Sequence, residues 1–264
     1  MMNHGNAGRT ISGLPPTVSQ KMSLLQTIHS GKRRQAPRLV IYGSEGIGKS
    51  TLAANAPKPI FVSTEDGLDQ IACDSFPLAK TLTEAMGYFN VLANEKHDYR
   101  TVVLDSGDWF ERLVWDQVCK DFGVKSIEKA DGGYGKGFSH ALNYWRQLIE
   151  VLYRLREEKG MLSILLAHAK VETFTDPEST AFDRFSPRLH KNATAYLCEW
   201  CDAILLATRE FSAAKGDKSG GNRILRCTPS AVGVAKNRYG FPDVLPLDWN
   251  AIYQGMIGGT DENA

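Results

Sequence analysis

The sequence predicts an α/β fold: a mostly parallel twisted sheet with helices on both faces and an antiparallel extension near the C-terminus. Three observations lead there. Strand-like and helix-like stretches alternate from residue 38 onwards, and parallel strands need such helical crossovers. The strand-like stretches are continuous apolar runs, the pattern of strands buried on both faces. The first strand passes into the first helix through a glycine-rich turn, and in open α/β sheets ligands sit at that carboxyl edge.

Residues 38–42 read as a buried strand, followed by the glycine-rich turn and a helix over 50–56 that Pro57 stops. A second strand covers 59–63, a helix 83–94, and a third strand 101–105, whose last residue is Asp105. Amphipathic helices span 109–122 and 138–159, the latter about six turns long. Between them, residues 131–137 hold Gly132, Gly133, Gly135 and Gly137, a composition that excludes regular structure. Residues 161–167 and 201–207 are further apolar strands. From 209 to 236 the pattern shortens around residues 216–222, read as a hairpin or flexible tip.

A chain of 264 residues with 42% hydrophobic content supports one large core. The expected division is a flexible basic arm over 1–36, one domain over 37–253 and a flexible tail over 254–264. Net charge is +1, so attraction to nucleic acid must come from local clusters. Residues 1–44 carry Arg9, Lys21, Lys32, Arg33, Arg34 and Arg38 and no acid. The first 20 residues lack the apolar segment of a signal peptide, and the chain lacks an apolar run long enough to span a membrane. Five cysteines, an odd number, fit a reducing cytosol. Cys198 and Cys201 form a C-x-x-C pair without a second pair or histidines at ligand spacing, so packing is the reading preferred over metal or redox chemistry. Trp145, Trp200 and Trp249 fall in helical or apolar settings and are expected in the core.

Gly43, Ser44, Glu45, Gly46, Ile47, Gly48, Lys49, Ser50 and Thr51 match G-x-x-x-x-G-K-[ST] at every specified position. Glycines let successive backbone N–H groups turn inward around phosphate oxygens, and the following helix presents its positive end. Lys49 is expected to reach the β- and γ-phosphates and the Ser50 hydroxyl to ligate Mg²⁺. The strand before and the helix after are the context the motif requires.

Asp105, at the tip of the third strand, stands where a phosphate-loop enzyme keeps the acid for its magnesium; with Ser106 and Asp108 beside it, helix capping is the competing role. Glu65 follows the second strand and is either a general base for water attack or a solvated turn acid. His168 ends the strand over 161–167 and is either a sensor of the γ-phosphate or a locally satisfied histidine.

Taken in order, the phosphate loop, residues 61–69 with Glu65, residues 102–106 with Asp105, and residues 164–168 with His168 resemble the core motifs of RecA-fold ATPases. The resemblance spans about residues 38–249, and within it the chain is similar to phage-encoded RecA-like nucleotide-binding proteins, which include single-strand annealing proteins. It implies a RecA-like P-loop NTPase core that binds ATP and Mg²⁺, with Glu65 as catalytic glutamate. His168 stands where RecA has a glutamine that links the γ-phosphate to a DNA-binding loop.

Lys236, Asn237, Arg238, Tyr239 and Gly240 resemble the K-N-R-F-G motif of RadA. That likeness implies that Lys236 and Arg238 reach a nucleotide bound by a neighbouring subunit, where a cation stabilises the charge spread over transferring phosphoryl oxygens. The alternative is an ordinary basic turn. The trans role implies a homo-oligomer, a ring or a filament, with nucleotide at subunit interfaces. The resemblance covers only the motor core and is not expected to extend to the flanking domains of RadA and RecA, so annealing or loading of single strands is expected rather than full strand exchange.

The candidate interfaces for single-stranded DNA are residues 131–138, with Tyr134 and Lys136, and residues 170–191, with Lys170, Arg184, Arg188 and Lys191 beside Phe174, Phe182 and Phe185. Cations follow phosphates and rings stack on unpaired bases. An ordinary long connection is the competing reading. The function expected is a Mg²⁺-dependent ATPase acting on single-stranded DNA in the bacterial host cytoplasm, possible partners including a single-strand binding protein. The rivals are a P-loop nucleoside or nucleotide kinase and an ATP-dependent scaffold for a replication partner.

Overall fold

The computed structural model describes residues 25, 28–31, 35–175, 180–210 and 221–258. By contacts the chain divides into Met1–Arg34 and Gln35–Ala264. In the first unit Ile28 N donates to Leu25 O at 3.3 Å; most of the expected basic arm lies outside the described residues, as do 259–264 of the expected tail.

In the second unit, strands β1 (Arg38–Gly43), β2 (Pro59–Ser63), β3 (Asp74–Ser75), β4 (Thr101–Asp105), β5 (Leu162–Phe174) and β7 (Ala203–Arg209) run parallel. Antiparallel partners are β6 (Phe182–Pro187) on β5, β8 (Arg223–Arg226) and β9 (Lys236–Asn237) on β7, and β10 (Val244–Pro246) on β8. The spatial order is β10-β8-β7-β1-β5-β4-β2-β3. The expected mostly parallel sheet with a C-terminal antiparallel extension is therefore what the chain forms.

The helices are α1 (Lys49–Ala54), α2 (Leu82–Asn94), α3 (Gly107–Asp121), α4 (Lys136–Lys159), α5 (Lys191–Trp200) and α6 (Trp249–Gly258). Alternate side chains along each strand feed two apolar layers. Val40, Tyr42, Ile60, Val62, Leu104 and Leu165 pack on the face covered by α2 to α5. Leu39, Ile41, Phe61, Val103, Ile164 and Leu166 pack on the face covered by α1 and α6. Helices thus cover both faces, and Trp145, Trp200 and Trp249 are buried as expected. Helix α2 starts on a reciprocal cap: Thr81 Oγ1 accepts from Glu84 N at 3.2 Å and Glu84 Oε2 from Lys80 N at 2.7 Å.

Three boundaries differ from the sequence reading. Helix α6 runs to Gly258, past the expected end of the domain at 253, because Gly255 lies close against the Phe241 ring and Met256 packs on the core. Residues 131–137 are not wholly irregular: a 3₁₀ segment ends at Gly132 and α4 already begins at Lys136. Residues 170–191 are not a loop but mostly a hairpin, in which β5 continues to Phe174 and pairs with β6. The apolar run ends at Ala167, but the alternating half-buried pattern beyond it still suits an antiparallel strand. Of the expected tip at 216–222, only Gly221 and Asn222 lie within the described residues.

Candidate nucleotide site

The sheet register assembles the site. Gly43, the last residue of β1, pairs with His168 on one side and Ala207 on the other. Ser63, the last residue of β2, pairs with Asp105. Five adjacent strands, β7, β1, β5, β4 and β2, thereby converge under residues 43–51. A Cβ on Gly43 would collide with the carbonyl oxygen of Ala207, so the exit of β1 requires glycine. Gly48 has φ +109°, a left-handed conformation that aims the chain into α1 and strains any residue with a Cβ.

Around the loop lies a cleft of about 300 Å³, lined by Gly46, Lys49, Ser50, Glu65, Asp105 and His168 among others. Lys49 is only 6% exposed. Its Nζ donates to the carbonyl oxygens of Gly43 at 3.1 Å and Ser44 at 2.9 Å, so the side chain folds back across the loop. Burial lowers its pKa, and the charges of Asp105 and Asp108 oppose that shift. Ser50 Oγ donates to Asp105 Oδ2 at 2.6 Å. Burial pushes the Asp105 carboxyl above its ordinary value, with the Ser50 hydrogen bond pulling the other way. A half-buried hydroxyl and carboxylate side by side form a hard-oxygen pair of the kind Mg²⁺ prefers, so the residues fit the metal.

Thr64 Oγ1 donates to Ser106 O at 2.7 Å and accepts from Ser106 N at 3.1 Å, locking the tips of β2 and β4 together. From that lock Ser106 Oγ donates to Glu65 Oε2 at 2.9 Å. Glu65 therefore has a fixed partner within the cleft rather than a free turn position. Ser106 was not singled out for this role in the sequence.

His168 is buried, and its Nδ1 lies 3.0 Å from Asp108 Oδ2 and 3.8 Å from Glu65 Oε2. A carboxylate only accepts, so Nδ1 carries the hydrogen towards Asp108. Asp108 also accepts from His168 N at 3.0 Å and from Arg188 Nη2 at 2.8 Å. Burial works to raise its pKa, but the hydrogen bonds from the His168 ring, the His168 backbone and Arg188 outweigh it and hold the carboxyl well below the usual range. Asp108 is the second acid that sequence reasoning treated only as a neighbour of a cap; its position three residues after Asp105 was the available signal.

The expected DNA-binding residues stand in different settings. Arg188 also reaches Glu45 Oε1 at 3.1 Å, so it ties the end of the hairpin to the phosphate loop. Lys170 donates to Leu189 O at 2.7 Å. Arg184 pairs with Glu172 at 3.3 Å and lies 3.9 Å from the centre of the Phe174 ring. Lys136 pairs loosely with Asp131 at 3.8 Å. Tyr134 is fully exposed and Lys191 is exposed at the start of α5.

The K-N-R-Y-G residues are not in this chain's own cleft. Lys236 Nζ donates to the carbonyls of Cys198 at 2.5 Å and Glu199 at 3.2 Å, closing the end of α5. Arg238 Nη1 lies 3.3 Å from Asp202 Oδ1, which also binds Arg38 at 2.7 Å. Arg38 opens β1, so this cluster sits a strand length from the phosphate loop, about 16 Å at about 3.3 Å per residue. Cys201 is buried at the end of α5 and Cys198 half-buried; burial pushes the Cys201 thiol up to about 12. Among the described residues no group of three or more His, Cys, Asp or Glu is placed to hold a metal ion, and no helix is long and apolar enough to cross a membrane.

The family model described as AAA domain matches residues 35–239, from just before β1 to the basic cluster. The chain belongs to the AAA-domain family. The nucleotide cleft above is thus the site of an AAA-type P-loop ATPase domain. The AAA domain is similar to the SPbeta prophage-derived uncharacterized protein YorG of Bacillus subtilis (strain 168), with 24% identity over 135 residues. That match covers 50% of this chain and 40% of the relative's length. Among solved structures, a similar chain is that of the crystal structure of the RadB recombinase, at 15% identity and a TM-score of 0.40, covering 72% of this chain and 80% of that one.

Proposed function

We propose that this AAA domain is a Mg²⁺-dependent ATP hydrolase that acts on single-stranded DNA in phage recombination, by annealing or loading strands, and that it assembles with nucleotide at the interfaces between copies. The observation that carries the hydrolytic reading is Glu65: its carboxylate is held by Ser106 at 2.9 Å in the same cleft as Lys49, Ser50 and Asp105. A carboxylate so placed orients the attacking water and accepts its proton.

Lys49 leaves the Gly43 and Ser44 carbonyls for the β- and γ-phosphate oxygens, exchanging neutral acceptors for charged ones. Ser50 and Asp105 would hold Mg²⁺, which when bound supplies positive charge to the phosphate oxygens. Glu65 then works beside His168, whose ring is aligned by Asp108. Because β5 continues through His168 into the hairpin, and Arg188 fastens the hairpin's other strand end to Glu45, a change at the loop has two mechanical routes to residues 169–187. Phe174 and Phe182 on that hairpin, with Arg184, are chemically suited to stacking on unpaired bases. The word prophage in the relative's name supports the phage setting.

The test is ATP turnover by purified protein, with and without a single-stranded oligonucleotide. Turnover that depends on Mg²⁺ and rises with the oligonucleotide supports the proposal. Folded protein with equal turnover in both conditions removes the coupling to DNA and leaves an ATPase with another client.

A further inference from the structure

Arg223 was not among the site residues expected from the sequence, yet it lines the same cleft as the phosphate loop. It opens β8 and pairs in register with Arg209 of β7. Its Nη1 lies 3.1 Å from the point that a Cβ on Gly48 would occupy, with Leu247 Cδ2 3.4 Å from the same point. The guanidinium therefore lies against the backbone of the loop just before Lys49. Backbone holds it there: Leu247 N donates to Arg223 O at 3.0 Å, and Ile224, next in β8, is buried.

The other charged groups of the region are already engaged within the protein. Lys49 is bonded to loop carbonyls, Asp105 to Ser50, Glu65 to Ser106, and Arg188 to Asp108 and Glu45. Among the described residues the Arg223 guanidinium has no hydrogen-bond or ion-pair partner. A planar cation with five donors, beside a loop whose amides turn toward phosphate, is complementary to a further phosphate oxygen.

Sheet order tells which phosphate. The loop rises from β1; Asp105 and Glu65 come from β4 and the end of β2 on one side, while Arg223 comes from β8 on the other. The terminal phosphate belongs beside Glu65, where water attacks. The opposite end of the polyphosphate then lies toward β8. We infer that Arg223 is a nucleotide-binding residue that contacts the α-phosphate of a nucleoside di- or triphosphate, opposite the Glu65 end of the cleft. This rests on the nucleotide reading of the site.

The experiment is calorimetric titration of the parent chain, Arg223→Gln and Arg223→Lys with ADP and with the β,γ-imido analogue of ATP, in Mg²⁺, alongside melting without nucleotide. Glutamine keeps most of the stem and removes the charge, so melting without nucleotide is expected to be unchanged. Arg223→Gln is expected to weaken both ligands by the same factor, about ten-fold, with Arg223→Lys in between. Equal binding by parent and Arg223→Gln overturns the inference, as does a loss confined to the triphosphate analogue, which would place the contact at the γ-phosphate. A parent chain that binds neither ligand overturns the nucleotide reading itself, and this inference with it. Should Arg223→Gln melt early, Arg223→Lys decides: weakening of both ligands by the same factor in that folded variant supports the inference, and binding of both at parental strength overturns it.

Discussion

Ser50 Oγ donates to Asp105 Oδ2 at 2.6 Å, joining the first turn of α1 to the tip of β4. The pair places a hydroxyl and a carboxylate where two oxygen ligands for one Mg²⁺ are needed. Replacing Ser50 with Ala or Asp105 with Asn is expected to reduce Mg²⁺-dependent ATP turnover by about 10²-fold or more. A malachite-green phosphate assay across a magnesium titration checks it; parental turnover in either variant would remove the metal role.

Glu65 is fixed by Ser106 rather than left in solvent. Glu65→Gln keeps the shape and loses the base, so nucleotide affinity should stay within a few-fold while turnover drops by about 10²- to 10⁴-fold. Binding and single-turnover hydrolysis measured on the same sample separate the two. Undiminished hydrolysis would return Glu65 to the role of a turn acid.

Arg238 lies with Asp202, near Arg38 at the opposite end of β1 from the loop. If it serves a neighbouring copy, Arg238→Ala and Lys49→Ala should each be inactive alone, yet a mixture should recover turnover at sites pairing an intact loop with an intact arginine. A mixture no more active than its parts argues that Arg238 only braces Asp202.

Glu111 is buried, accepts from His190 N at 2.8 Å, and has its pKa raised to about 7 by burial, from an ordinary 4.5. The folded state therefore holds a proton that the unfolded state has already released between those values. Stability from this group is present below the unfolded pKa and is lost as pH rises through the folded one, by about 1.4 kcal/mol for each pH unit crossed between the two. Glu111→Gln should flatten the fall in urea-unfolding stability between about pH 4.5 and 7; a parental slope in the variant would locate the titration elsewhere.

The phosphate loop, the acid at the end of β4, the glutamate after β2 and the succession of strands and helices were legible because each is local. A glycine pattern, an apolar run or a proline stop acts over a few residues, and periodicity in the chain registers it. The ends of strands were likewise readable as ligand-bearing positions because parallel strands all point their carboxyl ends at one edge. Even there the hairpin of β5 and β6 escaped, since its half-buried alternation begins only after the apolar run stops.

What the tertiary structure alone decided is which side chains meet. Asp108 with His168 and Arg188, Ser106 with Glu65, and Arg223 with Gly48 join residues far apart in the chain. Strand order and register fix those distances, and both follow from how two apolar layers pack on opposite faces of one sheet, a property no short window of residues contains. The same packing sent Lys236 to the end of α5 and Arg238 to Asp202, away from the phosphate loop.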